Sequence, residues 1–586
     1  MKELLTGNEA IARGAFEAGV SFAAGYPGTP STEILETIGR LYPQIEARWS
    51  PNEKVALEVG IGASLAGVRA LVAMKHVGLN VAADPLFTFS YTGVNGGLLI
   101  VSADDPGLHS SQNEQDNRNY ARSAKVPLLE PSDSMEAKEM TVYAFRLSEE
   151  FDTPVLLRTT TRINHTKTIV TLKERQDIAC REYRRNTPKN VMIPAYGRLR
   201  HQFVEERMRR LQEASENTPL NRVEKGNSIG IITSGITYQY VREAVPDASV
   251  LKLGMPYPLP AALVREFAAG VEELYVVEEL DPFLEDAVKA LGLNPRGKEL
   301  FPLTGEITPA MIAEKISGKK LFPGVALPGD YKEEEIPPRP PVLCPGCAHR
   351  GVFYTLKKLD LIVSGDIGCY TLGCLPPLES IDSCVCMGAS IGIAVGMERA
   401  NPLLKGRIVV VIGDSTFFHS GLTGLLEAIY NRSTITVIIL DNRITAMTGH
   451  QEHPGTGKTL RGEKTVSVDP LAVAKGMGVK RLRVAEPLDL QSFTQVLKEE
   501  LTAPELSVIV ARHPCALHKP TAGQRYYVRI DKCSGCLLCL RLGCPALYVQ
   551  EEEGKQKASI DKNLCGGCSL CSQVCRQGAI MEEVAE

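Results

Sequence analysis

The residues with the plainest chemistry are the cysteines. Near the C-terminus they read Cys533-x2-Cys536-x2-Cys539-x4-Cys544-Pro545 and then Cys565-x2-Cys568-x2-Cys571-x3-Cys575. Each run is opened by the same tripeptide, Ile530-Asp531-Lys532 and Ile560-Asp561-Lys562, so the tail is an internal duplication. Thiols in repeated C-x-x-C units suit metal thiolates better than disulfides in a reducing compartment. Structural zinc knuckles are the plain alternative, but zinc does not require four thiols crowded into so short a stretch and then repeated. A second set, Cys344-Pro345-Gly346-Cys347, Cys369 and Cys515, is more scattered, and its alternative is a turn with loose buried thiols. Cys374, Cys384 and Cys386 have no evident assignment, and Cys180 reads as a buried bystander.

Hard oxygen ligands come next. The apolar run Ile408–Ile412 ends in Gly413-Asp414-Ser415, and the run Ile435–Leu440 ends in Asp441-Asn442. Ligands of an open parallel sheet gather at the carboxyl ends of its strands, which brings Asp414 and Asn442 together. Two such oxygens suit Mg²⁺ and leave room for phosphate oxygens. A strand-ending Gly-Asp is by itself more often a turn. In Ser50-Pro51-Asn52-Glu53, Asn52 reads as a helix N-cap and Glu53 as a first-turn acid favoured by the helix dipole. His419 is as well explained by a backbone contact at a helix start as by a role beside a ligand.

The elements that must position these groups are α/β. The 586 residues exceed one core and suggest about four domains. Residues 1–181 alternate strand-like runs such as Leu98–Val101 with helical stretches. Residues 182–227 form a polar, Arg-rich segment of helix and linker, and 228–322 a second α/β unit with strands at Ile229–Thr233, Ser249–Leu253 and Glu273–Glu278. Residues 323–341 are a Pro-rich connector. Residues 342–522 hold near-continuous apolar strands of the sort covered on both faces. Residues 523–586 are the cysteine tail. The balance of 65 Lys+Arg against 69 Asp+Glu argues against a nucleic-acid or anionic-membrane partner. The segment Val55–Met74 is broken by Glu58 and Arg69, and the N-terminus has no signal-peptide layout, so a cytoplasmic location is expected.

Several of these motifs resemble those of the thiamine-diphosphate-dependent 2-oxoacid:ferredoxin oxidoreductase family, and most closely its indolepyruvate branch. The spacing from Gly413-Asp414 to Asn442 resembles the thiamine diphosphate fingerprint, which adds the Ile444 carbonyl as a Mg²⁺ ligand, with Gly413, Ser415 and Thr448 around the cofactor. Met447-Thr448-Gly449-His450-Gln451 resembles the family's M-T-G-G-Q run. Gly25-Tyr26-Pro27-Gly28-Thr29-Pro30-Ser31 is similar to its substrate loop, Y-P-I-T-P-S, with Gly28 in place of the aliphatic residue. The resemblance implies that Glu53 activates the aminopyrimidine, that Thr29 contacts the substrate and that Arg118 pairs with its carboxylate.

Each half of the tail resembles a bacterial two-cluster ferredoxin repeat, whose fourth cysteine serves the other cluster. One [4Fe-4S] cluster would take Cys533, Cys536, Cys539 and Cys575, and the other Cys565, Cys568, Cys571 and Cys544. Arg576 stands where a proline usually follows the last cysteine. The spacing of Cys344, Cys347, Cys369 and Cys515 resembles a third cluster site of the family. The implied reaction oxidatively decarboxylates an arylpyruvate such as indole-3-pyruvate, with coenzyme A as co-substrate and ferredoxin as electron acceptor. A smaller beta subunit and a heterotetramer of two alpha and two beta chains are also implied. The aryl preference comes from the resemblance alone. Another 2-oxoacid:ferredoxin oxidoreductase, or a non-oxidative thiamine decarboxylase with structural clusters, is the alternative.

Overall fold

Apolar runs bounded by Gly and Pro become strands here wherever both of their faces are covered. The computed structural model describes residues 1–321, 339–520, 524–552 and 554–583, and the chain forms two units, Met1–Tyr331 and Lys332–Glu586. All but the last three residues of the expected Pro-rich connector, 323–341, lie outside the described residues.

In the first unit, β1 (Lys2–Thr6) pairs antiparallel with β8 (Lys167–Thr171). Between them, β2 (Phe22–Gly25), β3 (Glu46–Trp49), β4 (Ala70–Lys75), β5 (Leu98–Asp104), β6 (Leu128–Leu129) and β7 (Val155–Thr160) make an all-parallel sheet in the order β3-β2-β4-β5-β7-β6. A second sheet of β9 (Asn221–Glu224), β10 (Ile229–Ser234), β11 (Ser249–Leu253) and β12 (Glu273–Val277) runs β12-β10-β11-β9, with β9 antiparallel. The two sheets share one core, in which Val72, Leu98 and Leu156 meet Ile232, Leu251 and Val276.

The helix of the polar segment 182–227 is Pro194–Asn217. It buries a narrow stripe, Val204, Arg207, Leu211 and Ser215, at helical spacing. The Arg207 guanidinium donates to the carbonyls of Ser90, Lys125 and Asp152. A stripe of so few residues, one of them Arg, leaves little trace in the composition of a helix that is otherwise polar.

In the second unit, β13 (Ile362–Ser364), β14 (Ile408–Gly413), β15 (Thr436–Asp441), β16 (Arg481–Ala485) and β17 (Ser507–Arg512) form a parallel sheet ordered β13-β14-β15-β17-β16. Ile408, Val410 and Ile412 enter the core on one face and Val409 and Val411 the core on the other, which is why β14 reads as an unbroken apolar run. The tail contains two short antiparallel pairs, β18 (Tyr526–Val528) with β21 (Ile580–Glu582) and β19 (Leu547–Glu552) with β20 (Lys555–Ile560). Its apolar core consists of Leu547, Ala558, Ile560 and Ile580 packed among cysteines.

Candidate active site

The carboxyl edge of the second unit's sheet carries the oxygen ligands. β14 ends at Gly413, where a Cβ would stand 2.7 Å from the Tyr370 ring, so only glycine lets that ring close over the strand end. Asp414, 3% exposed, accepts from the Ser415 amide at 2.8 Å and from the Arg443 amide at 2.9 Å. Arg443 has φ +63°, and this turn folds the residues after β15 over the Asp414 carboxylate. The Asn442 amide oxygen accepts from the Ile444 amide at 3.2 Å, and Ile444 is buried. Thr445 donates to the Ser415 hydroxyl, and Thr448 to Gln451. His419 is buried and pairs through Nδ1 with the Ser420 hydroxyl at 2.7 Å.

Three buried groups at this edge escape a sequence reading. Asp366 follows β13 and accepts from the amides of Ile367, Gly388 and Ser390, tying together the loops beside Asp414. Its Gly365-Asp366 repeats the Gly413-Asp414 pattern on the neighbouring strand, and that was the available signal. His453 Nε2 stands 3.2 Å from Asp414, while its Nδ1 accepts from the Gly455 amide, which leaves the ring proton on Nε2. Burial holds the His349 imidazole down at about 4, with Asp414 pulling the other way.

The thiols gather in sets. Burial pushes Cys347 up to about 12, with Cys344 and Cys369 adding to the rise, and pushes Cys369 up to about 11, with Cys344 and Cys515 adding. Cys344 thus lies within electrostatic reach of Cys347, Cys369 and Cys515. The Cys515 amide donates to the Asn442 carbonyl at 3.0 Å, and its sulfur lies 3.8 Å from His450 Nε2. In the tail, Cys533, Cys536, Cys539 and Cys575 line one small cavity. Burial raises the Cys571 thiol, helped by Cys568, Cys544 and Cys565. Cys539 adds to the same rise, and Cys575, the last cysteine of the second run, lines the cavity of the first three of the first run. Cys384 is raised to about 11 by burial, Asp366 and Cys374. Cys180 is exposed, which corrects its reading as a buried thiol.

In the first unit, Asn52 caps the helix Glu53–Leu65 by accepting from the Val55 amide at 2.9 Å. Glu53 is 5% exposed, too buried for a surface acid held only by the helix dipole. Gly78 makes room for it, since a Cβ there would lie 2.6 Å from Glu53 Oε1. Thr29 is half-buried and joined to Pro30 by a cis peptide. Asn8 and Asn164 both donate to the Pro30 carbonyl, at 2.7 and 3.1 Å.

Arg118 is placed otherwise than expected. It is 1% exposed and pairs with Asp116 and Glu278, with further bonds to the carbonyls of Glu279 and Asp281. A guanidinium so committed pins the helix Arg118–Ala124 to the end of β12 and is not offered to a substrate carboxylate.

With this geometry in hand, two family profiles match the chain. Residues 13–219 fit pyruvate flavodoxin/ferredoxin oxidoreductase, thiamine diphosphate-binding, and 366–511 fit the C-terminal thiamine pyrophosphate-binding domain of thiamine pyrophosphate enzymes. Indolepyruvate oxidoreductase subunit IorA of Pyrococcus abyssi is 43% identical, over 98% of this chain and 95% of that one. The chain belongs to the IorA family. IorA of Archaeoglobus fulgidus is 40% identical, with 99% of this chain and 97% of the relative covered, and IorA of Methanothermobacter marburgensis is 41% identical over the same shares. Among the described residues, no helix is long and apolar enough to cross a membrane.

Proposed function

We propose that the chain is the catalytic subunit of an indolepyruvate:ferredoxin oxidoreductase. It converts arylpyruvates such as indole-3-pyruvate, with coenzyme A, to arylacetyl-coenzyme A and CO₂, and it passes two electrons to ferredoxin. The observation that carries an oxidative over a non-oxidative reading is the hydrogen bond from the Cys515 amide to the Asn442 carbonyl. The backbone of a residue in the four-cysteine set is thus bonded directly to the backbone of Asn442 at the end of β15.

The residues fit the groups the family implies. The Asp414 carboxylate, the Asn442 amide oxygen and the Ile444 carbonyl are hard donors drawn together by the Arg443 turn, and they would hold Mg²⁺ and through it a diphosphate. Cys533, Cys536, Cys539 and Cys575, which line one cavity, would hold one [4Fe-4S] cluster, Cys544, Cys565, Cys568 and Cys571 a second, and Cys344, Cys347, Cys369 and Cys515 a third. Thiamine diphosphate, when bound, supplies the electron sink for loss of CO₂ from a 2-oxo acid.

The chain's own residues do the rest. Asp414 and Asn442 orient the cation, and the buried Tyr370 ring closes the strand end beside them. Glu53, sealed beneath Gly78, keeps a carboxyl group away from water, where it donates or accepts a proton with little competition. A smaller beta subunit, in a heterotetramer of two alpha and two beta chains, completes the enzyme.

The test is Glu53→Gln, which keeps size and hydrogen bonding but removes the titratable proton. Reduction of a viologen dye driven by indole-3-pyruvate should fall by ~10² to 10⁴ while thiamine and iron content persist. Full activity in this variant would remove Glu53 from the mechanism.

A further inference from the structure

Among the described residues three lysines are buried: Lys75, Lys138 and Lys252. Two are neutralised in place, Lys138 by Glu17 at 3.1 Å and Lys252 by Glu136 at 2.5 Å. Lys75 is not. Its ammonium makes a single hydrogen bond, to the Ser110 carbonyl at 2.6 Å, so two of its three N–H groups have no acceptor among the described residues. Asp105 exerts a favourable field on it, but that carboxylate already accepts from the Ser110 amide and from the hydroxyls of Ser111 and Thr161. Burial draws the Lys75 ammonium down to about 8. A buried cation with no carboxylate in direct contact is an unfavourable state that an incoming anion relieves.

The position of this cation narrows the choice of anion. Lys75 is the last residue of β4, at the carboxyl edge of the six-stranded parallel sheet, where ligands of such sheets bind. The loop after β2 lies directly on its stem, since a Cβ on Gly28 would stand 3.0 Å from the Lys75 Cβ. Three residues further on, Gly78 is filled by the Glu53 carboxyl group. One stretch of four residues, 75–78, therefore touches both the Gly28-Thr29 turn and the buried acid.

We infer that Lys75 is the cation that receives the carboxylate of the 2-oxo acid, the role that Arg118 is too committed to fill. This rests on the function proposed above and deepens it. The ammonium has two N–H donors beyond its bond to Ser110, and Thr29 follows Gly28 on the loop that packs against the lysine stem.

The holoenzyme with its partner subunit tests the assignment through two unreactive competitors of one shape, indole-3-propanoate and indole-3-propanamide, against indole-3-pyruvate. The wild type should prefer the acid to the amide. Lys75→Met should raise the KM for indole-3-pyruvate and the Ki for the propanoate by roughly 10- to 100-fold, the range for a hydrogen bond to a charged group. The Ki for the amide, the thiamine content and the iron content should stay put, and Lys75→Arg should recover part of the acid's advantage. A Lys75→Met enzyme that keeps the preference for acid over amide overturns the inference, and so does one that loses affinity for both alike. A wild-type enzyme that reduces no dye with any 2-oxo acid overturns the proposed function itself, and a working wild type beside an unchanged Lys75→Met enzyme overturns only the assignment of Lys75.

Discussion

The strand ends of the two units are finished in different ways. In the first unit the buried charges satisfy one another: Arg158 bridges Asp104 and Glu130, and Arg118 bridges Asp116 and Glu278. In the second unit the corresponding edge carries a carboxylate held by backbone amides and faced by a histidine, and thiols that burial keeps protonated. A self-paired edge balances its own charges, whereas an edge of raised thiols binds metal only when something displaces their protons. Lys75 is the exception in the first unit, and it lies beside Gly28 and the residues that shelter Glu53.

The largest expected effect sharpens this contrast within the second unit. Anaerobically prepared protein should hold about twelve iron atoms per chain, four for each of three clusters. Cys571→Ser should remove about four of them and loosen the tail, because few apolar residues remain to hold it without its metal. Cys515→Ser should also remove about four yet leave the five-stranded sheet intact, since that sheet has apolar cores on both faces. Limited proteolysis beside iron analysis separates the two. Equal fragility would break the comparison, and zinc without visible charge-transfer absorption would sink the redox reading.

How far the sequence foretold this depended on the range of the interactions. β14 and β15 were legible because residues buried on two faces leave an unbroken apolar run, and the tail was legible because its thiols are close in sequence. Asp414 and Asn442 followed from where those strands stop. Arg118 was not legible, because its partner Glu278 lies 160 residues away and nothing local distinguishes a pinned guanidinium from a free one. Lys75 was hidden because it directly follows the apolar segment read as ending at Met74, and its isolation is a property of what fails to approach it. A helix was legible within residues 182–227, but the packing of Pro194–Asn217 was not, because its buried stripe is narrow and contains Arg207.

Next in size is Asp414→Ala. Its carboxylate is held by two amides and faced by His453, so removal frees those donors and deletes the one charged oxygen of the clamp. Thiamine diphosphate and Mg²⁺ should be lost on gel filtration, while iron in the tail is retained. Cofactor retained at wild-type level would mean the clamp is elsewhere. The mirror experiment in the first unit is Arg118→Met, which strands Asp116 and Glu278 without a counter-charge. Breaking a buried pair in this way costs about 3 to 5 kcal/mol, read as a lower unfolding midpoint. The KM for indole-3-pyruvate should barely move, and a large rise in KM without loss of stability would return Arg118 to the substrate.

The smallest effect asks whether a self-paired unit also tolerates the loss of a local bond beside its chemistry. Asn52 caps the helix that begins at Glu53, so Asn52→Ala leaves the Val55 amide without its acceptor and should lower stability by ~1 kcal/mol. Glu53 is held in place from the other side, by the space that Gly78 leaves for it, so its carboxyl group should stay where it is. Dye reduction by Asn52→Ala should therefore remain within about threefold of wild type, in contrast to the ~10² to 10⁴ loss expected of Glu53→Gln. Thermal melts and turnover measured on the same preparation decide it. If turnover collapses together with the cap, Glu53 is positioned by the helix start rather than by the shelter of Gly78, and the edge of the first unit depends on its local bonds as much as on its ion pairs.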